Sequence, residues 1–180
     1  VSLIASSSDC RAALAKQIIS LHNPNDLSNS TGWFKGLTKE NMRFVPYNGG
    51  ISHSQLAWLN DTLYKSYQNK EKVIIFCHQP IFSPNKPSSL IWNAEETLDI
   101  LHQYPGTVVM WLAGHDHGGQ CAIDNRGIYH IVPPAPIECE LEDLAFGTVE
   151  VYNDHLKLLW MGSPPASPWH PWPQTVNFPT

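Results

Sequence analysis

Apolar positions along the chain follow three different patterns, and each pattern predicts a different element. Helical spacing runs through RAALAKQIISL (11–21), with Asp9 ahead of it as a candidate N-cap, and through SQLAWLNDTLYKSY (54–67). In the second, Leu56, Leu59, Leu63 and Tyr67 share one face, with Ser52 or Ser54 as the cap. WNAEETLDILHQY (92–104) reads as a further helix. Continuous apolar runs occupy 73–77 in EKVIIFCHQP and 108–113 in TVVMWLAG. A strand, a crossover helix and a strand predict a βαβ unit, with the two strands parallel in the middle of a sheet covered on both faces.

Alternation dominates the remainder. QCAIDNRGIYHIV (120–132) and AFGTVEVYNDHLKLLWM (145–161) predict antiparallel hairpins around DNRG and YND turns. VSLIA (1–5) is β-prone, HNPNDLSNSTGW (22–33) is loop, and RFVPYNGG (43–50) is expected to form a short strand entering a glycine turn. From 163 onward the composition changes to SPPASPWHPWPQTVNFPT, with six prolines and no periodicity. The expectation is one domain over 1–162 and an extended or disordered Pro/Trp-rich tail over 163–180.

The chain has 180 residues, 42% of them hydrophobic, which suits a single core. A net charge of −5 without any lysine or arginine block argues against nucleic acid or an anionic membrane surface as the main partner. No apolar run approaches the roughly 20 residues of a membrane span, and the first ten residues lack the pattern of a signal peptide. Cys10, Cys77, Cys121 and Cys139 lack CxxC spacing and read as free thiols of a reducing, cytoplasmic compartment.

The chemistry concentrates in histidine. Both continuous strands deliver one at their carboxyl ends, His78 and His115, and His117 follows two residues later. Functional groups of open α/β sheets gather at such strand ends, and neutral imidazole is the commonest metal ligand. Glycines flank the His-x-His pair and permit the tight turns needed to aim both rings. The three histidines together therefore predict a metal centre, with Asp116 facing solvent or supporting a ligand. The other six histidines have no comparable setting. A closed structural zinc site of three histidines and a cysteine such as Cys121 is a separate possibility.

FCHQP and GHDHGG, in this order, resemble the last two metal-binding motifs of the calcineurin-like metallophosphoesterases. With FVPYNGGISHSQLAWLNDTL, VIIFCHQPIF, IWNAEETLDIL, AGHDHGG and FGTVEVYNDHLKL, the resemblance narrows to the manganese-dependent ADP-ribose/CDP-alcohol diphosphatases and covers most of 1–162. It implies an α/β fold, the C-terminal part of a four-layer αββα sandwich whose N-terminal strands are missing. It also implies that His78 and His115 ligate one metal and His117 a second. Manganese is the implied cation, with iron or zinc as alternatives, and in-line attack of water on phosphorus is the implied reaction.

The family's Asp-x-His, Gly-Asp-x-x-Asp and Gly-Asn-His motifs do not occur, and Asn48-Gly49-Gly50 does not match the third. No acid–base residue is therefore identified, and the implied partner, besides a nucleoside diphosphate-linked small molecule, is a missing N-terminal half. Pro133, Pro134 and Pro136 interrupt what would be a more regular strand. The loop 79–92 leaves the strand that carries His78, so Phe82 or Trp92 are candidates to stack on a nucleobase, or else packing residues. Two functions follow: a metal-dependent phosphohydrolase cleaving the diphosphate of ADP-ribose, CDP-alcohols or related molecules, or a catalytically inactive fragment that retains part of the dinuclear site.

Overall fold

The structure is a computed structural model, and it describes residues 10–29, 31–138, 146–161 and 173–178. Helix α1 spans Cys10–His22 and α2 spans His53–Gln68, the latter capped by Ser52, whose hydroxyl accepts from the Gln55 amide. Strand β1 (Val73–Phe76), helix α3 (Ala94–His102) and strand β2 (Val108–Leu112) form the expected parallel βαβ unit. A hairpin of β3 (Gln120–Ile123) and β4 (Tyr129–Val132) follows, with β4 parallel to β2, so the first sheet has the order β1-β2-β4-β3. The second sheet holds β5 (Phe146–Val151), β6 (His155–Met161) and β7 (Thr175–Asn177), all antiparallel.

Three layers result. Leu59 and Leu63 of α2 and Leu101 of α3 pack on Val108 and Trp111 of β2. On the opposite face of the same sheet, Val109, Met110, Cys121 and Ile131 meet Leu156, Leu158 and Val176 of the second sheet. Consecutive side chains of a strand point to opposite faces, and along β2 Val108 and Trp111 enter the first cluster while Val109 and Met110, where the register with β1 shifts by one residue, both enter the second. That is why the run is apolar throughout instead of alternating.

Three expectations change. Residues 43–50 form no strand: a 3-10 helix at Lys39–Arg43 gives way to turns, with Asn48 N bonded to Val45 O at 3.1 Å. Hydrogen bonds from the buried Asn48 amide to Arg43 and Ser88 carbonyls hold this segment folded back on itself. Second, β1 lies at an edge of the described sheet, not in its middle, and Phe76 at its end is 72% exposed. Third, the tail supplies a strand, since Thr175–Asn177 pairs with β6 and buries Val176. Tyr67, expected on the buried face of α2, is instead exposed and lies against Tyr104. Residues 1–9, including the β-prone start and Asp9, and residues 162–172 lie outside the described residues. Among the described residues no helix is long and apolar enough to cross a membrane.

One buried carboxylate ties helix α3 to the first sheet. Oδ1 of Asp124, in the β3–β4 turn, accepts from the Arg126 and Ile128 amides, while Oδ2 accepts from His102 Nε2 of α3 at 3.0 Å and His130 Nε2 of β4 at 3.1 Å. Burial pushes the Asp124 carboxyl up, but these four donors outweigh it and hold the group below the usual carboxylate range. His130 is itself buried and held below the usual imidazole range by desolvation, against the pull of Asp124. Each depressed pKa contributes stability that is present above the unfolded-state value and lost as pH falls toward the folded one. Stability should therefore decline first below about pH 6.5, through His130, and again below about pH 4, through Asp124. Urea unfolding from pH 8 to 3 should show both declines. Asp124→Asn should lower the unfolding free energy by about 2–4 kcal/mol and remove the second decline. A variant as stable as the parent would show that the carboxylate anchors nothing.

Candidate metal centre

The parallel ladder of β1 and β2 continues beyond both strands and sets the two histidines side by side. Cys77 N donates to Leu112 O and Gly114 N to His78 O, while Ala113 N donates to Ile131 O of β4. At the end of this ladder His115 Nδ1 and His78 Nε2 are 3.3 Å apart, with the rings edge to face at a centroid distance of 5.1 Å. His78 is exposed and His115 half-buried. His117, also exposed, lines the same open hollow as His115, together with Tyr47, Lys86, Ser88, Ser89 and Asp116.

His115 sits in a conformation that side chains rarely adopt, with φ +70 and with Asp116 N donating to Gly114 O across it. Such a three-residue turn is strained for anything but glycine, and strain of this kind persists only where surrounding structure over-determines it. The support comes from Asp116. Its side chain is buried, accepts from Gly118 N and is paired with Lys86 Nζ. The carboxylate thus closes the turn between the two histidines and faces neither solvent nor the His78–His115 contact.

Several groups that surround His115 had no signal in the sequence. Asn48 Oδ1 lies 2.7 Å from His115 Nε2, and Gln79 Nε2 lies 3.1 Å from the same oxygen. The Tyr47 ring is 5.6 Å from that of His115 and 5.9 Å from Trp33. An isolated Asn or Tyr in a loop carries no periodicity and reveals its role only once the fold brings it near a histidine. By contrast, the two aromatic residues expected over the metals are not in this hollow. Phe82 packs on His130 at 4.9 Å, and Trp92 is buried in a cluster with Ala15, Ile19 and Phe44.

Burial lowers the pKa of His115, helped by the proximity of His78 and opposed by Asp116. The ring is therefore neutral near pH 7, the form that a metal ligand requires. Two imidazole nitrogens at 3.3 Å are spaced as neighbouring ligands of one divalent cation would be. Among the described residues, however, no group of three or more His, Cys, Asp or Glu side chains is placed to hold a metal ion. The pair fits one side of a cation and leaves the rest of its sphere to other groups. No four-ligand zinc site with Cys121 is formed either: that thiol is buried between the sheets, where desolvation pushes it up to about 11.

No family model matches the sequence. Named proteins do match it closely. A manganese-dependent ADP-ribose/CDP-alcohol diphosphatase of Oryza sativa subsp. japonica is 39% identical over 153 residues, covering 84% of this chain and 46% of that protein. The enzyme of the same name from Homo sapiens is 39% identical over 150 residues, covering 83% and 42%. By sequence, the chain is a relative of the manganese-dependent ADP-ribose/CDP-alcohol diphosphatases. The crystal structure of a dimetal phosphatase from Danio rerio superposes with a TM-score of 0.81 at 31% identity, covering 99% of this chain and 54% of that one. The mixed α/β fold is thus similar to about half of that structure, and the chain spans about half the length of the relatives it matches.

The glycines after the His-x-His pair have a structural test. Gly119 has φ +70, and a Cβ there would lie 2.9 Å from the Pro134 nitrogen. Gly119→Ala should destabilise the protein by about 2–4 kcal/mol, from the left-handed backbone and the overpacked contact combined. Thermal and urea unfolding measure this. An unchanged midpoint would mean that the segment 115–119 is not pressed against 133–134 as described.

Proposed function

We propose that this chain carries the C-terminal portion of a dinuclear metallophosphohydrolase that cleaves the diphosphate of ADP-ribose, CDP-alcohols or related nucleoside diphosphate-linked molecules. The observation that carries the reading is the facing pair His78 Nε2 and His115 Nδ1 at the carboxyl ends of adjacent parallel strands, in a chain related to enzymes of that name. His78 and His115 hold one cation, and His117, across the same hollow, contributes to a second. Manganese is the cation, in keeping with the names of the relatives. When bound, such a pair of divalent ions supplies Lewis acidity at the phosphoryl group and at the attacking water.

The protein's own groups bind and orient. Lys86, on the rim and held by Asp116, offers a cation to the diphosphate, and Tyr47 offers a ring face for a base. The remaining ligands, including carboxylates that balance the metal charge, come from outside the residues described here, as does the group that protonates the leaving oxygen. Two open surfaces support this. Among the described residues no strand pairs with the outer edge of β1, which ends at the exposed Phe76 and offers a template for further strand pairing. The outer face of the second sheet exposes Phe146 (59%) and Met161 (53%), apolar side chains that a helical layer would cover and so complete an αββα sandwich. The free thiols Cys77 and Cys121 support a reducing, cytoplasmic setting. A silent fragment is the less favoured reading, because the relatives are named as diphosphatases and the fold neighbour as a dimetal phosphatase.

The test is hydrolysis of ADP-ribose and of a CDP-alcohol with added manganese, by this chain alone and by this chain co-expressed with the unmatched portion of the Oryza sativa relative. The chain alone should turn over near background. The complemented chain should be active, and His115→Ala should reduce that activity by at least about 10²-fold, the scale of losing a group that acts on the reacting atoms. Activity that is full in the isolated chain and indifferent to His115→Ala would overturn the reading.

A further inference from the structure

The geometry points to Asn48 as the residue that fixes which nitrogen of His115 is free to take a metal. Asn48 is fully buried, and the ends of its amide can be told apart by their partners. Nδ2 lies 2.8 Å from Arg43 O and 2.7 Å from Ser88 O. Both of those atoms are carbonyl oxygens that can only accept, so this end must be the NH2 and the opposite end the oxygen. That oxygen lies 2.7 Å from His115 Nε2.

An oxygen with no proton at 2.7 Å from a ring nitrogen demands that the nitrogen carry one. The competing assignment has His115 Nε2 accept from Gln79 Nε2 at 3.2 Å. It would bring two bare acceptors together at the shorter distance to gain a hydrogen bond at the longer one. Gln79 does not need that bond. Its Oε1 accepts from Gly49 N at 3.0 Å, which orients its amide too, and its Nε2 donates to Asn48 Oδ1 at 3.1 Å. His115 is therefore the Nε2–H tautomer, and its lone pair sits on Nδ1, the atom facing His78 Nε2 at 3.3 Å.

Asn48 is thus a positioning residue: it donates to two carbonyls, accepts from Gln79 and His115, and touches the metal site only through His115. This role depends on the proposed metal site for its consequence, whereas the tautomer itself does not. In metal sites generally, a partner on the second ring nitrogen fixes tautomer and ring orientation, and its loss costs about 10–100-fold in metal affinity.

The experiment is nitrogen-15 NMR of the imidazoles near pH 8 on the parent chain, Asn48→Leu and Gln79→Leu. In the parent, His115 should show a protonated Nε2 and a bare Nδ1. Asn48→Leu should lose that preference and bind manganese about 10–100-fold more weakly, whereas Gln79→Leu should keep it. A parent His115 protonated on Nδ1 would overturn the assignment. So would a tautomer that survives Asn48→Leu but changes in Gln79→Leu. Should Asn48→Leu not fold, the parent spectrum and Gln79→Leu still decide between Asn48 and Gln79. Broadening of the His78 and His115 signals by manganese in the parent reports separately on the metal site, so a failure of that reading leaves the tautomer result distinguishable.

Discussion

Strand β2 is buried on both faces, with helices α2 and α3 on one side and the second sheet on the other, and that double contact sets the order of the layers. A strand covered on one face tolerates polar residues at alternate positions; one covered on both does not. Val108, Val109, Met110 and Trp111 are each at most 3% exposed. Burial of such side chains contributes about 1.5–3 kcal/mol apiece. Summed along β2, that exceeds the roughly 1–3 kcal/mol that a residue in a rare backbone conformation costs. A rigid, well-packed strand can therefore end in the strained turn at His115 without the turn relaxing.

The groups around that turn come from three separate stretches of chain. His78 and Gln79 leave β1, His115 and Asp116 leave β2, and Asn48 stands in the folded-back segment that precedes α2. The last of these carries no regular structure, yet it is as firmly held as a strand, because Asn48 satisfies two backbone carbonyls and accepts two further hydrogen bonds. Its amide does locally what a sheet ladder does over many residues: it satisfies buried backbone groups that would otherwise be costly.

Much of this was legible in the sequence. Periodicity located α2, α3, β1 and β2, and turn residues located both hairpins, because local patterns record which face of an element meets the core. His78 and His115 stood out for a related reason: each follows the end of a continuous apolar run. What stayed hidden depended on contacts between distant segments. The position of β1 at an edge is set by which strands are present to pair with it, and 73–77 is as apolar as a central strand. Residues 43–50 look β-prone by composition, but the hydrogen bonds of Asn48 override propensity. Val176 found a place beside β6 from within a proline-rich stretch where no local pattern announces a strand. Phe82 and Trp92 were correctly placed on the loop after β1, but which way a loop side chain turns is decided by the cavity available to it, and these two turned toward the interior.

Asp124 has a consequence for how the hairpin can pair at all. A strand displaced by a single residue against its neighbour presents every side chain to the wrong face, and two short strands of four residues each have few contacts with which to resist the slip. Here the turn that joins them is clamped by the carboxylate to the Arg126 and Ile128 amides, and the same group reaches His130 on β4 and His102 on α3. A shifted β4 would carry Ile131 to the carboxylate in place of an imidazole and would turn His130 toward the apolar interface with the second sheet. Both errors are expensive in a buried setting, so the alignment of β4, and with it the bond from Ala113 to Ile131 just before the histidine turn, is selected by a polar contact at the far end of the hairpin.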